Sequence, residues 1–317
     1  MRAPDFWRRK NAPLALALAP LGILYGASVA FKARHANPYD PGIPVICVGN
    51  LTAGGSGKTP IAIAIAQVLR AKGHRPYFLT RGYGGSERGP ALVSRGHSAQ
   101  AMGDEALLLA RTAPTIVARD RAAGAKLAKE KGATILVMDD GHQNFSLRKS
   151  LSLVVVDAET GFGNGFQIPA GPLREPVRQG LARADAVVLV GEGVQELEDF
   201  RGPVLRARLQ TEANAFCGQR VFAFAGIGRP EKIVTALQDG GALVIGSRFF
   251  ADHHPYSEDE ILQLKAVAGD ATLVTTEKDF IRLTAAQREG IGILKAAAIF
   301  KDGAGLDALL DRLAPRP

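Results

Sequence analysis

Gly54, Gly55, Ser56, Gly57, Lys58 and Thr59 set flexible backbone, a cation and a hydroxyl in the order that phosphate chemistry uses. Glycines let backbone N–H groups converge on phosphate oxygens, and a helix opening after them adds a favourable dipole. Lys58 is then placed to reach β- and γ-phosphates, and Thr59 to offer its hydroxyl to Mg²⁺. Thr52 stands where the usual G-x-x-x-x-G-K-[ST] pattern has its first glycine, so the loop instead matches G-G-x-G-K-[ST]. Ala53 occupies the position where that variant often carries a second lysine. The stretch expected to cradle a nucleotide runs from Thr52 to Thr59.

Four acids and a histidine could act on such a phosphate. Asp139 and Asp140 close the apolar run Ala133–Met138. That is where the Mg²⁺-directing carboxylate belongs in a nucleoside-triphosphatase, although Asp-Asp-Gly is also a surface turn. Asp104 and Glu105 follow Gly103 at the start of a helical stretch, where they either cap the helix or take a catalytic or metal role. Phosphoryl transfer to a hydroxyl needs a base beside the acceptor, and Asp104 with His253 could form a carboxylate–imidazole pair. Lys58 would stabilise the transferring group. Arg81, Arg119, Arg121 and Arg174 follow strands or sit in loops, able to bind an anionic substrate bidentately.

The elements that must position these groups are legible. Ile43 to Gly49 is an apolar, β-branched run fitting a buried parallel strand, and the glycine loop breaks it into a helix reaching Ala71. Short strands are expected at 76–79, 115–118, 133–138, 151–157 and 184–190, with helices between them, which implies a parallel sheet flanked by helices. Ligands bind at the carboxyl edge of such a sheet. The loop 161–176, with four glycines and three prolines, is long enough to be functional and apolar enough to be ordered. From 201 to 215 the alternation becomes irregular. A second, shorter α/β series begins at Val221, and Ser257 with Glu260 forms a capping-box pattern. Thr276 to Asp279 either caps an element or faces a nucleotide base. The expected division is 1–35, 36–215 and 216–317.

The chain has 317 residues, 46% of them hydrophobic, which is ample for two cores. Cys47 and Cys217 have no ligand spacing and read as buried small hydrophobes in a reducing compartment. Of the net charge of +8, most lies in residues 1–35, where six Lys and Arg face only Asp5. Residues 12–31 carry no charge and are long enough to match a bilayer as a helix. A signal peptide would export a nucleotide-binding loop to where triphosphate is scarce, and Pro13, Pro20, Gly22 and Gly26 weaken a spanning helix. Cations at both ends, with Trp7 and Tyr25 available as interfacial aromatics, favour a peripheral or monotopic helix on anionic lipid head groups. A buried helix is the plainer alternative.

In series, VGNLTAGGSGKTP, RGYGG, GDE, DDGHQ, GNGFQIPAGPLREP, DHHPY and TTEKD resemble the tetraacyldisaccharide 4′-kinase family of lipid A biosynthesis over most of the chain. The resemblance implies transfer of the ATP γ-phosphate to the 4′-hydroxyl of an acylated disaccharide 1-phosphate. It also implies a place on the cytoplasmic face of the bacterial inner membrane. Carried over, Lys58 serves the phosphoryl group, and Thr59 with Asp139 the metal, Asp140 being able to exchange roles with Asp139. Glu105 supports the metal, and Asp104 is the base with His253 orienting or sharing its proton. Gln143, Arg81, Tyr83, Arg119, Arg121 and Arg174 contact nucleotide or substrate, and His142 receives no role. No nucleic acid and no obligate protein partner is expected. The rival readings are a membrane-associated P-loop ATPase or GTPase switch, for which no Asn-Lys-x-Asp is found, and a kinase with a soluble acceptor, which leaves the N-terminal segment unexplained.

Overall fold

The structure, a computed structural model, describes residues 4–9, 11–55, 57–193, 197 and 200–313. After a 3₁₀ turn, Asp5–Arg8, come α1 (Pro13–Arg34), β1 (Val45–Gly49), α2 (Lys58–Ala71), β2 (Pro76–Thr80), β3 (Ala91–Leu92), α3 (Ala99–Met102), α4 (Asp104–Ala110), β4 (Thr115–Val117) and α5 (Arg121–Glu130). Then follow β5 (Ile135–Asp139), β6 (Leu151–Asp157), α6 (Val177–Leu181), β7 (Ala186–Val190) and β8 (Val204–Thr211). The chain goes on through β9 (Arg220–Ala225), α7 (Glu231–Asp239), β10 (Leu243–Phe249), α8 (Glu258–Ala268), β11 (Thr272–Thr276) and α9 (Glu277–Arg282). It ends in β12 (Ile291–Leu294), β13 (Ala296–Phe300) and α10 (Gly303–Asp311).

Among the described residues the larger sheet has the order β13-β8-β7-β6-β1-β5-β2-β4-β3, and the smaller one β10-β9-β11-β12. The larger sheet is parallel apart from its two edge strands, β3 and β13. Strands β1, β5 and β7 are buried at every position, as their unbroken apolar sequences require of strands covered on both faces. Ile61, Ile65 and Leu69 of α2, with Leu306, Leu309 and Leu310 of α10, cover one face. Ala125 and Ala128 of α5 pack on the other.

Three features differ from the sequence reading, the first being that Cys217, read as buried, is exposed. The irregular stretch after 201 holds β8, whose Leu205 and Ala207 face the core while its arginines and Gln210 do not, a half-buried pattern hidden by the charges. The chain also returns: β13 pairs antiparallel with β8, and α10 packs on the first core, so residues 296–311 lie with the larger sheet although they follow the smaller one.

Helix α1 runs unbroken through Pro20 and docks along a stripe of small residues, Ala15, Gly22 and Gly26. A Cβ at Gly22 would lie 2.8 Å from the Gln167 carbonyl oxygen, and one at Gly26 3.4 Å from Pro176 Cδ, so the helix rests on the loop 161–176. Trp7, expected at a membrane interface, instead donates its indole N–H to Pro169 O at 3.0 Å. Leu14, Leu16, Leu21, Ile23, Leu24 and Phe31 remain exposed. Gly22→Val should push α1 off this loop at a cost of about 1–3 kcal/mol, the usual range for overpacking. Thermal unfolding and protease cleavage near 161–176 measure it; unchanged protection would contradict the docking.

Candidate functional site

Strand β1 lies between β5 and β6, with Val48 opposite Asp139. The register delivers the glycine loop to the tip of β5. Gly57 turns the chain with φ 83° into α2, and the Thr59 hydroxyl donates to Asp139 Oδ2 at 3.1 Å. The other carboxylate oxygen, Asp139 Oδ1, is buried with no hydrogen-bond partner among the described residues. Burial, then the charge of Glu105, raises the Asp139 pKa above the usual carboxylate range. An orphaned oxygen beside a hydroxyl fits a hard divalent cation. Mg²⁺ is bound by one or two carboxylates plus phosphates and water.

Asp140 turns the other way. It takes φ 54°, accepts from Arg174 at 2.8 Å and lies 3.6 Å from the Lys58 ammonium. Burial would raise its pKa, but Lys58 and Arg174 overcome that and hold it low. Gln143 donates to Asn50 O at 2.9 Å and to Glu175 at 2.8 Å, and its carbonyl lies 3.4 Å from Arg174. Glu175, buried and absent from the sequence reading, also receives Arg183 at 2.5 Å. The first part of the loop is engaged elsewhere: Thr52 bridges Leu173, and the Ala53 N–H donates to Pro172 O at 2.7 Å. That amide is therefore not free for phosphate in this conformation, while Gly54, Gly55 and Gly57 to Thr59 line the turn. Ser56 lies outside the described residues.

The second sheet brings His253 to Asp104. Its Nδ1 lies 3.0 Å from Asp104 Oδ2, which also accepts from Arg282 Nε at 3.0 Å. His253, like Asp140, is a non-glycine residue with positive φ, here 60°. Such backbone costs about 1–3 kcal/mol and persists where its surroundings enforce it. Burial opposes ionisation of Asp104, but the His253 bond and the Arg282 and Lys278 charges prevail and hold its pKa well below the usual range. The same bond raises the His253 pKa, against burial. Asp104 is buried, whereas the imidazole is about one-third exposed.

Arg282 was not singled out from sequence, and Lys278 entered there only as part of the Thr276–Asp279 stretch. Arg282 is held by Asp279, which also accepts from Tyr256 at 2.9 Å, and Lys278 donates to Glu105 at 2.6 Å. Thr276 caps α9 by accepting from the Asp279 N–H. Of the two readings of Thr276–Asp279, the capping one describes this arrangement, and it adds two cations aimed at α4. Arg282 had no sequence signal beyond following that stretch within one short helix.

Gly103, with φ 85°, brings the loop of Arg81 and Tyr83 against the start of α4, since a Cβ there would lie 2.5 Å from Tyr83 O. Tyr83 is exposed, with its ring 5.4 Å from that of His253. Arg121 is buried, donates to Ala118 O and keeps an unpartnered Nε among the described residues. Burial, then repulsion from Arg81, lowers its pKa to about 10. Arg81 and Arg119 are exposed. His142 packs over Gly49, its Nε2 donating to Gly180 O at 2.9 Å while Nδ1 accepts from Ser152 Oγ at 3.1 Å.

A glycine loop and carboxylate on adjacent parallel strands, facing a carboxylate–imidazole pair completed by a second sheet, define a P-loop protein equipped for phosphoryl transfer. The family model described as tetraacyldisaccharide-1-P 4'-kinase matches residues 14–314, and the chain belongs to that family. A protein called tetraacyldisaccharide 4'-kinase in Paramagnetospirillum magneticum is 50% identical, with all of both chains covered. One of the same name in Rhodospirillum rubrum is 47% identical, covering 99% of this chain and 98% of that one. The crystal structure of LpxK from Aquifex aeolicus in complex with ATP superposes with a TM-score of 0.79 at 28% identity, covering 95% and 99% of the two chains.

His142 yields a pH prediction. Burial, then the Lys149 and Arg183 charges, push its pKa down to about 3, below the unfolded value near 6.5. A lowered histidine pKa means that the unfolded chain binds the proton better. Its contribution is full above pH ~6.5 and falls by about 1.4 kcal/mol per unit as pH drops toward 3. His142→Gln should flatten that difference in urea unfolding measured across pH; parallel curves for both proteins would contradict it.

Proposed function

We propose that the protein transfers the γ-phosphate of ATP to the 4′-hydroxyl of an acylated disaccharide 1-phosphate, giving the bis-phosphorylated lipid of lipid A biosynthesis. The carrying observation is the Asp104–His253 pair at 3.0 Å, contributed by the start of α4 and the loop after β10, with Thr59 of the phosphate loop meeting Asp139. Membership of the family and the names of its relatives support the same reaction. A switch ATPase has no use for a hydroxyl-activating pair at that place.

Phosphoryl transfer rests on positioning and charge stabilisation more than on covalent chemistry. Backbone of Gly54 to Lys58 would cradle the phosphates, and Lys58, now 3.6 Å from Asp140, would move to or share the transferring group. Thr59 and Asp139 would hold Mg²⁺, with Glu105 in support, and the ion would offset negative charge on the phosphates. Asp140 instead keeps Lys58 and Arg174 in place. Gln143 ties the loop to Glu175, while Arg81, Tyr83, Arg119 and Arg121 border the cleft as the acceptor's anion contacts.

The order of proton transfer differs from the expectation that made Asp104 the base. A buried carboxylate shared with Arg282 and held at low pKa is a weak acceptor, whereas His253 is partly exposed and raised in basicity. His253 therefore takes the hydroxyl proton, and Asp104 orients it and stabilises the imidazolium. The exposed leucines of α1, with Arg8 and Arg9 before it and Lys32 and Arg34 in its last turn, support a monotopic place on anionic lipid at the cytoplasmic face, where ATP and an acylated acceptor meet.

The test is ATP turnover with and without acylated disaccharide phosphate in detergent. Phosphate appearing on the lipid is expected, and turnover indifferent to lipid would favour the switch. Asp104→Asn should lower kcat by about 10²–10⁴ with ATP affinity nearly intact. Activity should fall as pH drops below the raised His253 pKa, because the imidazolium cannot accept a proton. Asp104→Asn should move that limb to lower pH in the residual rate, and an unmoved limb would remove His253 as acceptor. Lys58→Ala should abolish most turnover, since charge stabilisation is the larger share of this catalysis.

A further inference from the structure

A cavity of about 500 Å³ opens beneath the carboxyl end of α1, bordered by Ala33, Ala36, Phe145 and three cations, Arg148, Lys149 and Arg183. Ser152 and Asp185, which also line it, stand at the amino-terminal starts of β6 and β7. The glycine loop follows the carboxyl end of β1, so the cavity is at the opposite edge of the sheet from the transfer site.

Its charge is only partly compensated. Lys149 donates to His142 O at 2.7 Å and forms no ion pair among the described residues. Burial, then the Arg183 charge, lowers its pKa, against the negative charge of Glu175. Arg183 is paired with Glu175 and lies 5.2 Å from the Phe145 ring, and Lys149 lies 5.9 Å from the same ring. Arg148 meets Asp40 at 3.3 Å in an exposed pair worth little. Asp185, the acid in the wall, accepts from the Ser152 N–H at 2.7 Å. The negative end of the α1 dipole also faces this region and is offset by Lys32 and Arg34 in its last turn.

We propose that this cavity binds the phosphate of an anionic phospholipid headgroup from the membrane on which α1 lies. The inference rests on the reading of α1 as membrane-attached. A lipid rather than free phosphate is favoured because α1 itself supplies part of the wall and leaves Phe31 exposed just before it, where an acyl chain could continue from a bound headgroup. The volume suits a headgroup, since small-molecule sites span roughly 300–1,000 Å³.

The experiment uses the full chain and water-soluble dihexanoyl-phosphatidylglycerol below its micelle concentration, followed by calorimetry. Dihexanoyl-phosphatidylcholine and inorganic phosphate are parallel arms, and co-sedimentation with phosphatidylcholine vesicles, with and without phosphatidylglycerol, is the membrane arm. Saturable binding of the soluble phosphatidylglycerol is expected, with an affinity loss of about fivefold for each charge removed in Arg148→Gln and in Arg148→Gln/Lys149→Gln. Thermal unfolding and detergent turnover should stay close to wild type in the single variant, which guards against misfolding of the double one. Equal binding of inorganic phosphate would make this a free-phosphate site and overturn the lipid assignment. Absence of saturable phosphatidylglycerol binding while vesicles are still bound overturns this inference alone. Failure to bind any vesicle overturns the membrane reading beneath it.

Discussion

The hydroxyl of Thr59 against the carboxylate of Asp139 is the contact on which the rest of the proposed site depends. It exists because β1 and β5 are hydrogen-bonded neighbours, so the glycine turn leaving one strand is carried to the tip of the other. Both strands are buried on both faces between helix layers, and the sealed core therefore keeps the loop and the carboxylate together. Among the described residues Asp139 is also left with an orphaned oxygen, a costly arrangement in a buried place. A cation bound there would relieve that cost.

Across the cleft the second sheet is joined to the first by charges more than by apolar packing. Arg282 and His253 meet Asp104, Lys278 meets Glu105, and Arg229 pairs with Asp157 and Glu159. Charges sharing partners in a low-dielectric place are costly to separate, yet they can re-pair when a polyanionic substrate enters. Asp104 sits between Arg282 and His253, so the smaller sheet sets both the ionisation of the carboxylate and the basicity of the imidazole. The Asp104–His253 pair is thus a product of how the two sheets meet.

The loop 161–176 has a different part. Leu173 bridges Thr52, Pro172 takes the Ala53 amide, and Gln167 and Pro176 receive the glycine stripe of α1. One irregular segment therefore touches both the phosphate loop and the apolar helix. A helix that leans on it by Gly22 and Gly26 keeps its leucines outward, which suits attachment to one leaflet.

The amino-acid sequence by itself determined the phosphate loop, the parallel sheet around it and the positions of Asp104, Asp139 and His253. Glycine conformational freedom, unbroken apolar strands and acids at strand ends are local signals that need no partner to be read. The Ser257–Glu260 capping box was legible for the same reason and forms as read. Strand β8 was not, because its arginines mask an alternation that has meaning only beside β7 and β13. Tertiary structure alone separated Asp139 from Asp140, since adjacent residues in one turn point at different partners only once Lys58, Thr59 and Arg174 surround them. It alone recruited Arg282 and Lys278 to α4, and Glu175 to Gln143. Residues so far apart in the chain become neighbours through the packing of whole elements, and no local pattern records that distance.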